Sequence, residues 1–321
     1  MSCDRSSMPA QRGRTVVVTG ANSGLGYEAT AAFAGHGADV VLACRSLDRG
    51  RAAAEEIRAT LADGPAWASA PDAGSLTVME LDLADLDSVA SFAETFAANF
   101  DDLHVLCNNA GVMAVPRGET ADGFERQFGI NHLGHFALTG HLLDDLRATD
   151  GETRVVTQSS GVHEQGTIDF ADLQHEAAYD KWGAYAQSKL ANLLFAYELD
   201  RRLDAAGATV TSVGCHPGYA DTNLQTRGPE EAGSTLRLLA MKATNAVLGQ
   251  SATQGALPML YAAVEDGISG GEYVGPGGLL NMRGAPAVQE SSAASSDEET
   301  ADRLWAVSAD LTGVEYDLPD A

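Results

Sequence analysis

The sequence contains little lysine, few cysteines and no long apolar run. Only three of its 321 residues are lysines, whereas 17 are arginines. The four cysteines lie far apart, so the paired spacing of a zinc site is absent. No apolar run approaches the ~20 residues that cross a bilayer, and the N-terminal segment MSCDRSSMPAQRGR has no apolar core. We therefore expect no zinc site, no signal peptide and no membrane anchor.

Positive charge is scarce overall, with 20 basic residues against 45 acidic ones and a formal net charge of -25. A surface this negative repels nucleic acids and anionic membranes, so neither is an expected partner. It suits a protein dissolved in molar salt, where screening removes most of the self-repulsion. We interpret it as the surface of a halophilic, cytoplasmic protein; an ordinary acidic protein is the alternative. Three of the cysteines, Cys44, Cys107 and Cys215, end apolar runs and resemble small buried hydrophobes, which suits a reducing cytosol.

Short apolar runs alternate with stretches of helical periodicity such as Leu25–Gly35, Asp48–Leu61 and Leu86–Phe100. This alternation predicts a single-domain, doubly wound (Rossmann-type) parallel α/β sheet of about seven strands with helices on both faces. The predicted strands are Thr15–Thr19, Asp39–Ala43, Leu76–Leu81, Leu103–Cys107, Arg154–Gln158, Thr209–Cys215 and Glu272–Val274.

The ends of the chain and two internal segments fall outside this pattern. Residues 1–12 are predicted to be a flexible N-terminus, ahead of a single domain over residues 13–321. The segment DGPAWASAPDAG, residues 63–74, is predicted to be a surface insertion because it is rich in Pro, Gly and Ala. Residues 219–250 follow a strand end and contain Gly and Pro breaks, so they are expected to form a substrate lid.

The C-terminal tail, residues 284–321, contains the polar and acidic segment QESSAASSDEET. That segment, residues 289–300, is expected to be a loose loop. A last short helix is predicted near Ala301–Leu311.

The segment TVVVTGANSGLG, Thr15–Gly26, places three glycines directly after the first predicted strand. Glycine lets backbone N–H groups approach a ligand closely, and the following helix offers its positive end to a pyrophosphate. A tight turn without a ligand is the alternative. The residues expected to bind a dinucleotide here are Gly20, Asn22, Ser23, Gly24, Leu25 and Gly26.

The second predicted strand ends in VVLACRS, without a carboxylate at its tip. An acidic residue there would bind a free ribose 2′-hydroxyl group, whereas an arginine suits a 2′-phosphate. Because Arg45 follows Cys44, with Arg49 and Arg51 nearby, NADP(H) is favoured over NAD(H). The alternative is that Arg45 is an ordinary surface arginine.

The segment YAQSK places Tyr185 and Lys189 four residues apart, on one face of a helix. An ammonium group favours the phenolate, so the pair can move a proton to or from a carbonyl oxygen. Upstream, RVVTQSSG ends a strand with Ser159 and Ser160, whose hydroxyl groups can donate to a substrate oxygen. The alternatives are a chance Tyr–Lys spacing and a serine turn that closes the strand.

The chain resembles the short-chain dehydrogenase/reductase family because it contains the motifs TGANSGLG, LDLAD, NNAG, GINHLGHF, YAQSK and CHPGYADT in this order. The segments ACRS, NHLGHF, YAQSKLANLLF and LWAVSADLTG are similar to the branch that holds retinol dehydrogenases, WW-domain oxidoreductase and protochlorophyllide-reductase-like proteins. The resemblance adds these residues to the expected cofactor site: Asp82, Leu83, Asn109, Ala110, Gly111, Tyr185, Lys189, Pro217, Gly218 and Thr222.

The resemblance implies hydride transfer between a nicotinamide and a small-molecule carbonyl or alcohol. It implies that Tyr185 gives or takes the proton and that Ser160 orients the carbonyl oxygen. Lys189 would lower the pKa of Tyr185 and hold the nicotinamide ribose, and Asn131 would hold a water in a relay to Lys189. Asp82 would contact the adenine. Relatives of this kind are commonly homodimers or homotetramers.

The chain departs from the family pattern in the 24 residues between Ser160 and Tyr185, which exceed the spacing in many members. This insertion, residues 161–184, is amphipathic and is expected to fold over the pocket. Vertebrate retinol dehydrogenases of the branch usually carry an N-terminal anchor, and the absence of an apolar segment here argues against carrying over a retinoid substrate.

Other functions remain open from the sequence. His132 and His135 have the spacing of a metal pair but lack a third ligand at a convincing position, so packing is the preferred interpretation. His163 and His216 follow strand ends, where they would line the pocket or act as hydrogen-bonded structural residues. A non-catalytic NADP-sensing regulator and a nucleotide-sugar epimerase are the rival functions; an intact Tyr–Lys pair argues against the first, and the glycine spacing against the second.

The net charge predicts that salt stabilises the fold. We expect the melting temperature to rise steadily as KCl is raised from about 0.1 M to about 1 M, because the Debye length falls from about 10 Å to about 3 Å. Thermal unfolding followed by circular dichroism measures the shift, and an uncharged solute at equal osmolality is the control. A melting temperature that is the same at both KCl concentrations would identify an ordinary acidic protein.

Overall fold

The computed structural model of the chain describes residues 4–69, 73–218, 250–278 and 281–320. Among these residues, one sheet contains eight strands, and α-helices pack on both of its faces. The strands are β1 (Thr15–Thr19), β2 (Asp39–Cys44), β3 (Leu76–Glu80), β4 (Val105–Asn108), β5 (Thr153–Gln158), β6 (Val210–Cys215), β7 (Tyr273–Pro276) and β8 (Pro286–Gln289).

The helices alternate with these strands along the chain. They are α1 (Gly24–Gly35), α2 (Leu47–Ala62), α3 (Leu86–Asn99), α4, α5 (Lys181–Ala205), α6 (Ala252–Val264) and α7 (Glu298–Thr312). Helix α4 is continuous but irregular, because a π-helical segment, Gly129–Leu133, joins the α-helical segments Arg126–Phe128 and Gly134–Ala148. A π segment within a helix often marks a functional position.

The strand order is β3-β2-β1-β4-β5-β6-β7-β8, parallel throughout except for the antiparallel pair of β7 and β8. The predicted doubly wound sheet is confirmed, with one strand more than expected. Strand β8 is short, starts at a proline and leaves Val288 46% exposed. It is therefore an edge strand, and its sequence lacks the apolar pattern of a buried strand. The crossovers diverge between β1 and β4, where doubly wound folds bind their ligands.

Each face of the sheet has its own hydrophobic core. On one face, Val16 and Val18 pack with Phe33 of α1 and Leu260 of α6. On the other face, Val17 lies in a second cluster with residues from α3, α4 and α5. The two faces divide β1 residue by residue because successive side chains of a strand point to opposite sides.

The C-terminal segment is more ordered than the sequence indicates, so the prediction of a loose loop over residues 289–300 is wrong. A 3-10 helix spans Ala293–Ser296, and α7 begins at Glu298 instead of near Ala301. The Asp297 side chain accepts from Thr300 N at 3.0 Å and caps α7. Trp305 of α7 then stacks on Phe195 of α5, with ring centroids 5.9 Å apart.

The described parts of the predicted flexible N-terminus, residues 1–12, and of the predicted surface insertion, residues 63–74, contact each other and α1. Arg5 Nη2 lies 2.9 Å from Glu28 Oε2, and the Arg5 guanidinium lies 4.1 Å above the Trp67 ring. Trp67 packs so closely on Gly35 that a Cβ there would lie 2.5 Å from its ring. All of the expected lid, residues 219–250, except its last residue lies outside the described residues, and so does its Thr222. No helix in the described ranges is long and apolar enough to cross a membrane.

A buried arginine joins β5 to the end of α6. Arg154 is fully buried, and its guanidinium donates to Ala262 O at 2.9 Å and to Glu265 O at 2.8 Å. Glu152 pairs with the same guanidinium. The positive group therefore satisfies carbonyls at the C-terminus of α6, which carries a partial negative charge.

We expect the Arg154→Met substitution to lower the free energy of unfolding by about 3 kcal/mol, because it leaves buried carbonyls without donors. Denaturant unfolding in high salt measures this change. The control is Arg147→Met, whose partner Asp144 is exposed and 3.8 Å away, so its effect stays within about 0.5 kcal/mol. Equal effects of the two substitutions would contradict the capping role of Arg154.

Candidate active site

The loops that follow β1, β2, β3 and β4 enclose a groove at the carboxyl edge of the sheet. Eleven of the residues predicted to bind a dinucleotide line this groove, from the glycine turn to Arg45, the Asp82–Leu83 pair and the NNAG loop. Its full lining is Thr19, Gly20, Asn22, Ser23, Gly24, Leu25, Ala43, Arg45, Arg49, Leu81, Asp82, Leu83, Asn109, Ala110, Gly111, Val112 and Ile130.

The glycine turn has the geometry of a phosphate-binding loop. Gly20 and Gly24 have φ angles of 66° and 58°, a region that favours glycine. A Cβ on Gly26 would lie 2.5 Å from Gly20 O and 2.6 Å from Asn109 Nδ2, so only glycine allows α1 to start this close to the neighbouring loop. The side chain of the N-cap residue Ser23 does not cap α1. The helix N-terminus that borders the groove therefore suits a pyrophosphate.

Thr19 holds the loop after β4 against the end of β1. Its Oγ1 accepts hydrogen bonds from the backbone N–H groups of Asn109 and Ala110, both at 2.9 Å. His135 Nδ1 lies 3.0 Å from Asn131 O, and this nitrogen must carry the proton because a carbonyl only accepts. His135 Nε2 then accepts from the Thr19 hydroxyl group at 3.0 Å. Burial lowers the pKa of His135 to about 4, so the ring is neutral at pH 7.

Two arginines, Arg45 and Arg49, border the part of the groove that follows β2. Arg45 and Arg49 are exposed, and the described residues place no carboxylate in an ion pair with either of them. Arg51 instead pairs with Asp48 at 3.5 Å and is not among the residues that line the groove. Cys44 is buried beneath them, and burial raises the pKa of its thiol to about 11, so it contributes no negative charge. The positive end of the groove can therefore bind a phosphate.

Tyr185 and Lys189 lie beside the groove in the buried part of α5, only 4% and 3% exposed. Lys189 Nζ lies 5.9 Å from the centroid of the Tyr185 ring and donates to Gln158 O at 3.0 Å. The same Nζ lies 3.6 Å from the point that a Cβ on Gly111 would occupy, so it faces the NNAG loop after β4, residues 108–111, which we call the cofactor loop. Ser160 completes the cluster at the end of β5, where its Oγ accepts from Val162 N at 3.3 Å.

Burial controls the pKa values of this cluster. It raises the pKa of Tyr185 to about 12, against a smaller lowering by a hydrogen bond with Ser160. Burial also lowers the pKa of Lys189 to about 8. Lys189 was expected to lower the pKa of Tyr185. The net shift is instead upward, because burial dominates it. Tyr185 is fully protonated at neutral pH, which is the state that an acid needs.

Asn131 lies in the π segment of α4 and is locked to the chain after β4. Its Oδ1 accepts from Val112 N at 2.8 Å, and its Nδ2 donates to Val112 O at 2.9 Å and to Ser188 Oγ at 2.9 Å. Ser188 directly precedes Lys189, so Asn131 joins the cofactor loop to the helix of the reactive pair. The sequence analysis missed Ser188 and assigned His135 only to packing. Their spacing of three residues from Tyr185 and four from Asn131 is the signal that could have identified them.

The remaining histidines and the insertion have structural contacts. His132 Nε2 lies 2.8 Å from Ser308 Oγ of α7, and no described residues form a metal-binding cluster. The apolar side chains of the insertion, including Phe170 and Leu173, pack with Leu190 and Leu304 instead of covering the groove. Near the end of the insertion, the Trp182 ring lies edge-on to Tyr185 with centroids 6.2 Å apart.

The segment after β6 forms the last described part of the expected cofactor site. Gly218 has a φ angle of 65°, and Gln250 Nε2 donates to Pro217 O at 2.6 Å. His216 Nδ1 accepts from Gly218 N at 3.2 Å, and its Nε2 lies 3.2 Å from Gln289 Oε1 of β8. His216 therefore joins the Pro-Gly segment to the edge strand.

A doubly wound sheet, a glycine turn shaped for a pyrophosphate and a buried Tyr–Ser–Lys cluster beside one groove define a nicotinamide-dependent oxidoreductase. Comparison with known proteins agrees. A family model described as short chain dehydrogenase matches residues 14–232. Human retinol dehydrogenase 13 is 40% identical over 94% of this chain and 86% of its own length, and mouse polyprenol dehydrogenase is 42% identical over 95% and 86%.

Among solved structures, an uncharacterized protein from Mycobacterium paratuberculosis superimposes with a TM-score of 0.78 and 40% identity, covering 98% of this chain and 99% of that one. The chain belongs to the short-chain dehydrogenase/reductase family, in the branch that holds retinol dehydrogenases. It is therefore an NAD(P)-dependent oxidoreductase with a small-molecule substrate.

We expect Gly26→Ala to weaken cofactor binding at least about tenfold, because the new Cβ forces the glycine turn away from Asn109. Titration of the protein with reduced nicotinamide cofactor, followed by fluorescence, measures the dissociation constant. Gly267→Ala is the control, because nothing lies within 4 Å of its Cβ position. Unchanged binding by the Gly26 variant would refute the close approach of the turn to the cofactor.

Proposed function

We propose that the protein is an NADP(H)-dependent oxidoreductase that interconverts an alcohol and a carbonyl compound with Tyr185 as the acid and base. The observation that carries the proposal is the buried Tyr185–Lys189 pair, whose Lys189 Nζ faces Gly111 of the groove. The proposed setting is the cytoplasm of a halophile, as the net charge of -25 suggests.

The mechanism assigns one task to each residue of the cluster. The nicotinamide, when bound, supplies or accepts the hydride. In the direction of reduction, Ser160 donates a hydrogen bond to the carbonyl oxygen and orients it. Tyr185 Oη then gives its proton to that oxygen as the hydride reaches the carbonyl carbon, so an alcohol and a phenolate result. In the direction of oxidation, the phenolate takes the hydroxyl proton.

Lys189 supports both directions through its charge and position. Its ammonium group lies on the Tyr185 side of the cofactor loop and stabilises the phenolate that reduction leaves behind. The hydrogen bond to Gln158 O holds Nζ in place without neutralising it. Asn131 fixes the adjacent loop through Val112. We assign the water relay that the resemblance implies to the space between Asn131 and Lys189.

We expect Tyr185→Phe to lower kcat by at least about 10²-fold while cofactor affinity is unchanged, because only the proton transfer is lost. A panel of aldehydes, ketones and alcohols in molar KCl, followed by nicotinamide absorbance, identifies a substrate and then compares the variant. Wild-type oxidation should accelerate as pH rises, since the raised Tyr185 pKa keeps the base protonated near neutrality. Equal turnover by the variant would refute the role of Tyr185, and cofactor binding without turnover would favour a sensor.

Preference for NADP(H) is proposed from the two arginines that border the groove. A guanidinium pairs with a 2′-phosphate through parallel N–H donors, and Arg45 and Arg49 are free of carboxylate partners within the described ranges. An acidic residue, which would select a free 2′-hydroxyl group, is absent from the tip of β2.

We expect Arg45→Ala to raise the dissociation constant for NADPH about tenfold and to leave that for NADH unchanged, since a charge-assisted hydrogen bond contributes roughly 1.5–3 kcal/mol. Arg51→Ala is the matched control, because its guanidinium pairs with Asp48. Tighter binding of NADH than of NADPH by the wild type would contradict the preference and leave the Tyr185 chemistry intact.

A further inference from the structure

His163 connects the candidate catalytic serine to the C-terminal part of the chain. It lies in a 3-10 helix, Gly161–Gln165, that starts directly after Ser160, and it is 1% exposed. Its Nδ1 lies 2.7 Å from Ser160 O. On the other side of the ring, Ser292 N donates to His163 Nε2 at 3.2 Å. The ring therefore bridges two backbone groups that are far apart in sequence.

The two partners determine the state of the imidazole. A backbone carbonyl only accepts, so Nδ1 must carry a hydrogen, and a backbone N–H only donates, so Nε2 must be unprotonated. This is one defined neutral tautomer. Burial lowers the pKa of His163, which supports the neutral ring at pH 7, while Glu164 on the same helix opposes this shift. Tyr273 packs edge-on against the ring with centroids 5.5 Å apart, and His216 lies beyond it.

The bridge acts on the residue whose hydroxyl group must be placed accurately. Ser160 is the N-cap of the 3-10 helix, and its carbonyl accepts both from the His163 backbone N–H at 3.0 Å and from the imidazole. These bonds fix the Ser160 backbone at the point where β5 ends. Ser292 belongs to the connection between β8 and α7, so this connection supports the serine from outside the sheet.

We propose that His163 is a positioning residue for the reaction. Ser292 of the C-terminal segment anchors the imidazole, and the imidazole holds Ser160 in place. The inference rests on the proposed function of Ser160. It assigns a role in catalysis to the segment that follows β8, although no residue of that segment has been placed in the groove. Misplacement of an orienting group by a fraction of an ångström lowers turnover without a comparable change in cofactor affinity.

The substitution Ser292→Pro tests the bridge at its far end. Ser292 has φ -67° and ψ 152°, which proline adopts without strain, so the substitution removes the N–H donor and preserves the local backbone conformation. We expect kcat to fall about tenfold, with unchanged affinity for the cofactor. Ser292→Ala is the matched control, because it removes the hydroxyl group and retains the N–H, and its kcat should equal that of the wild type.

A second variant breaks the same bridge at the ring. His163→Asn retains an amide donor near the Nδ1 position but is too short to reach Ser292. If both substitutions break one link, the double variant loses no more kcat than either single variant. Nitrogen-15 chemical shifts of the imidazole, assigned by comparison with the His163 variant, should show the Nδ1-protonated tautomer in the wild type and a shifted Nε2 resonance in Ser292→Pro.

The outcomes separate this inference from the proposed function. If Ser160→Ala is inactive while Ser292→Pro and His163→Asn fold and retain wild-type kcat, the positioning role is refuted and the proposed function stands. If Ser160→Ala has wild-type kcat, the proposed role of Ser160 is refuted, and the positioning role with it. A wild-type spectrum with Nε2 protonated would overturn the bridge itself, whatever the activity.

Discussion

The hydroxyl group of Thr19 is the contact on which the site depends. Thr19 ends β1 at the point where the crossovers diverge, and its Oγ1 accepts from the backbone N–H groups of Asn109 and Ala110. The glycine turn begins at the next residue. Through His135, the same hydroxyl group is also connected to Asn131 of α4. One side chain thus sets the distance between the two loops of the cofactor groove and links them to the helix beside the reactive pair.

Burial both constrains and prepares the reactive cluster. A buried polar group without a partner costs roughly 1–3 kcal/mol, so partners for Lys189 and Asn131 stabilise the cluster. The partners are mostly backbone groups, as for Lys189 with Gln158 O and Asn131 with Val112. Because backbone atoms of the sheet edge and helices move little, the side chains held by them are already oriented before a substrate arrives.

The same burial shifts both members of the Tyr185–Lys189 pair toward their neutral forms, since it raises the pKa of the phenol and lowers that of the ammonium group. A protonated Tyr185 suits the acid of the reduction. A Lys189 charge that responds to its surroundings suits the reverse direction, in which Tyr185 must act as a base. A positive charge brought to the site by an oxidised nicotinamide would oppose this shift and favour the phenolate. The pair is therefore tuned by burial first and by bound groups second.

What could be read from the sequence was local. Seven strands, the start of α1 after the glycine turn and the arginine at the tip of β2 follow from short-range patterns, because strand burial, a positive φ angle and a missing carboxylate are visible within a few residues. The helix period likewise places Tyr185 and Lys189 on one face of α5. These features carry most of the fold and the identity of the expected groove residues.

The tertiary structure alone decided the contacts between distant segments. Strand β8 forms because β7 offers it an edge, and nothing in its four residues marks a buried strand. The Arg5–Trp67 stack and the His163–Ser292 bridge join residues whose separations along the chain follow no period. The net direction of the Tyr185 pKa shift also came from the fold, because burial, a property of the packed core, outweighs the lowering by the hydrogen bond with Ser160. A sequence determines which groups are present and how near neighbours are spaced; which groups meet across the molecule depends on how the whole core packs.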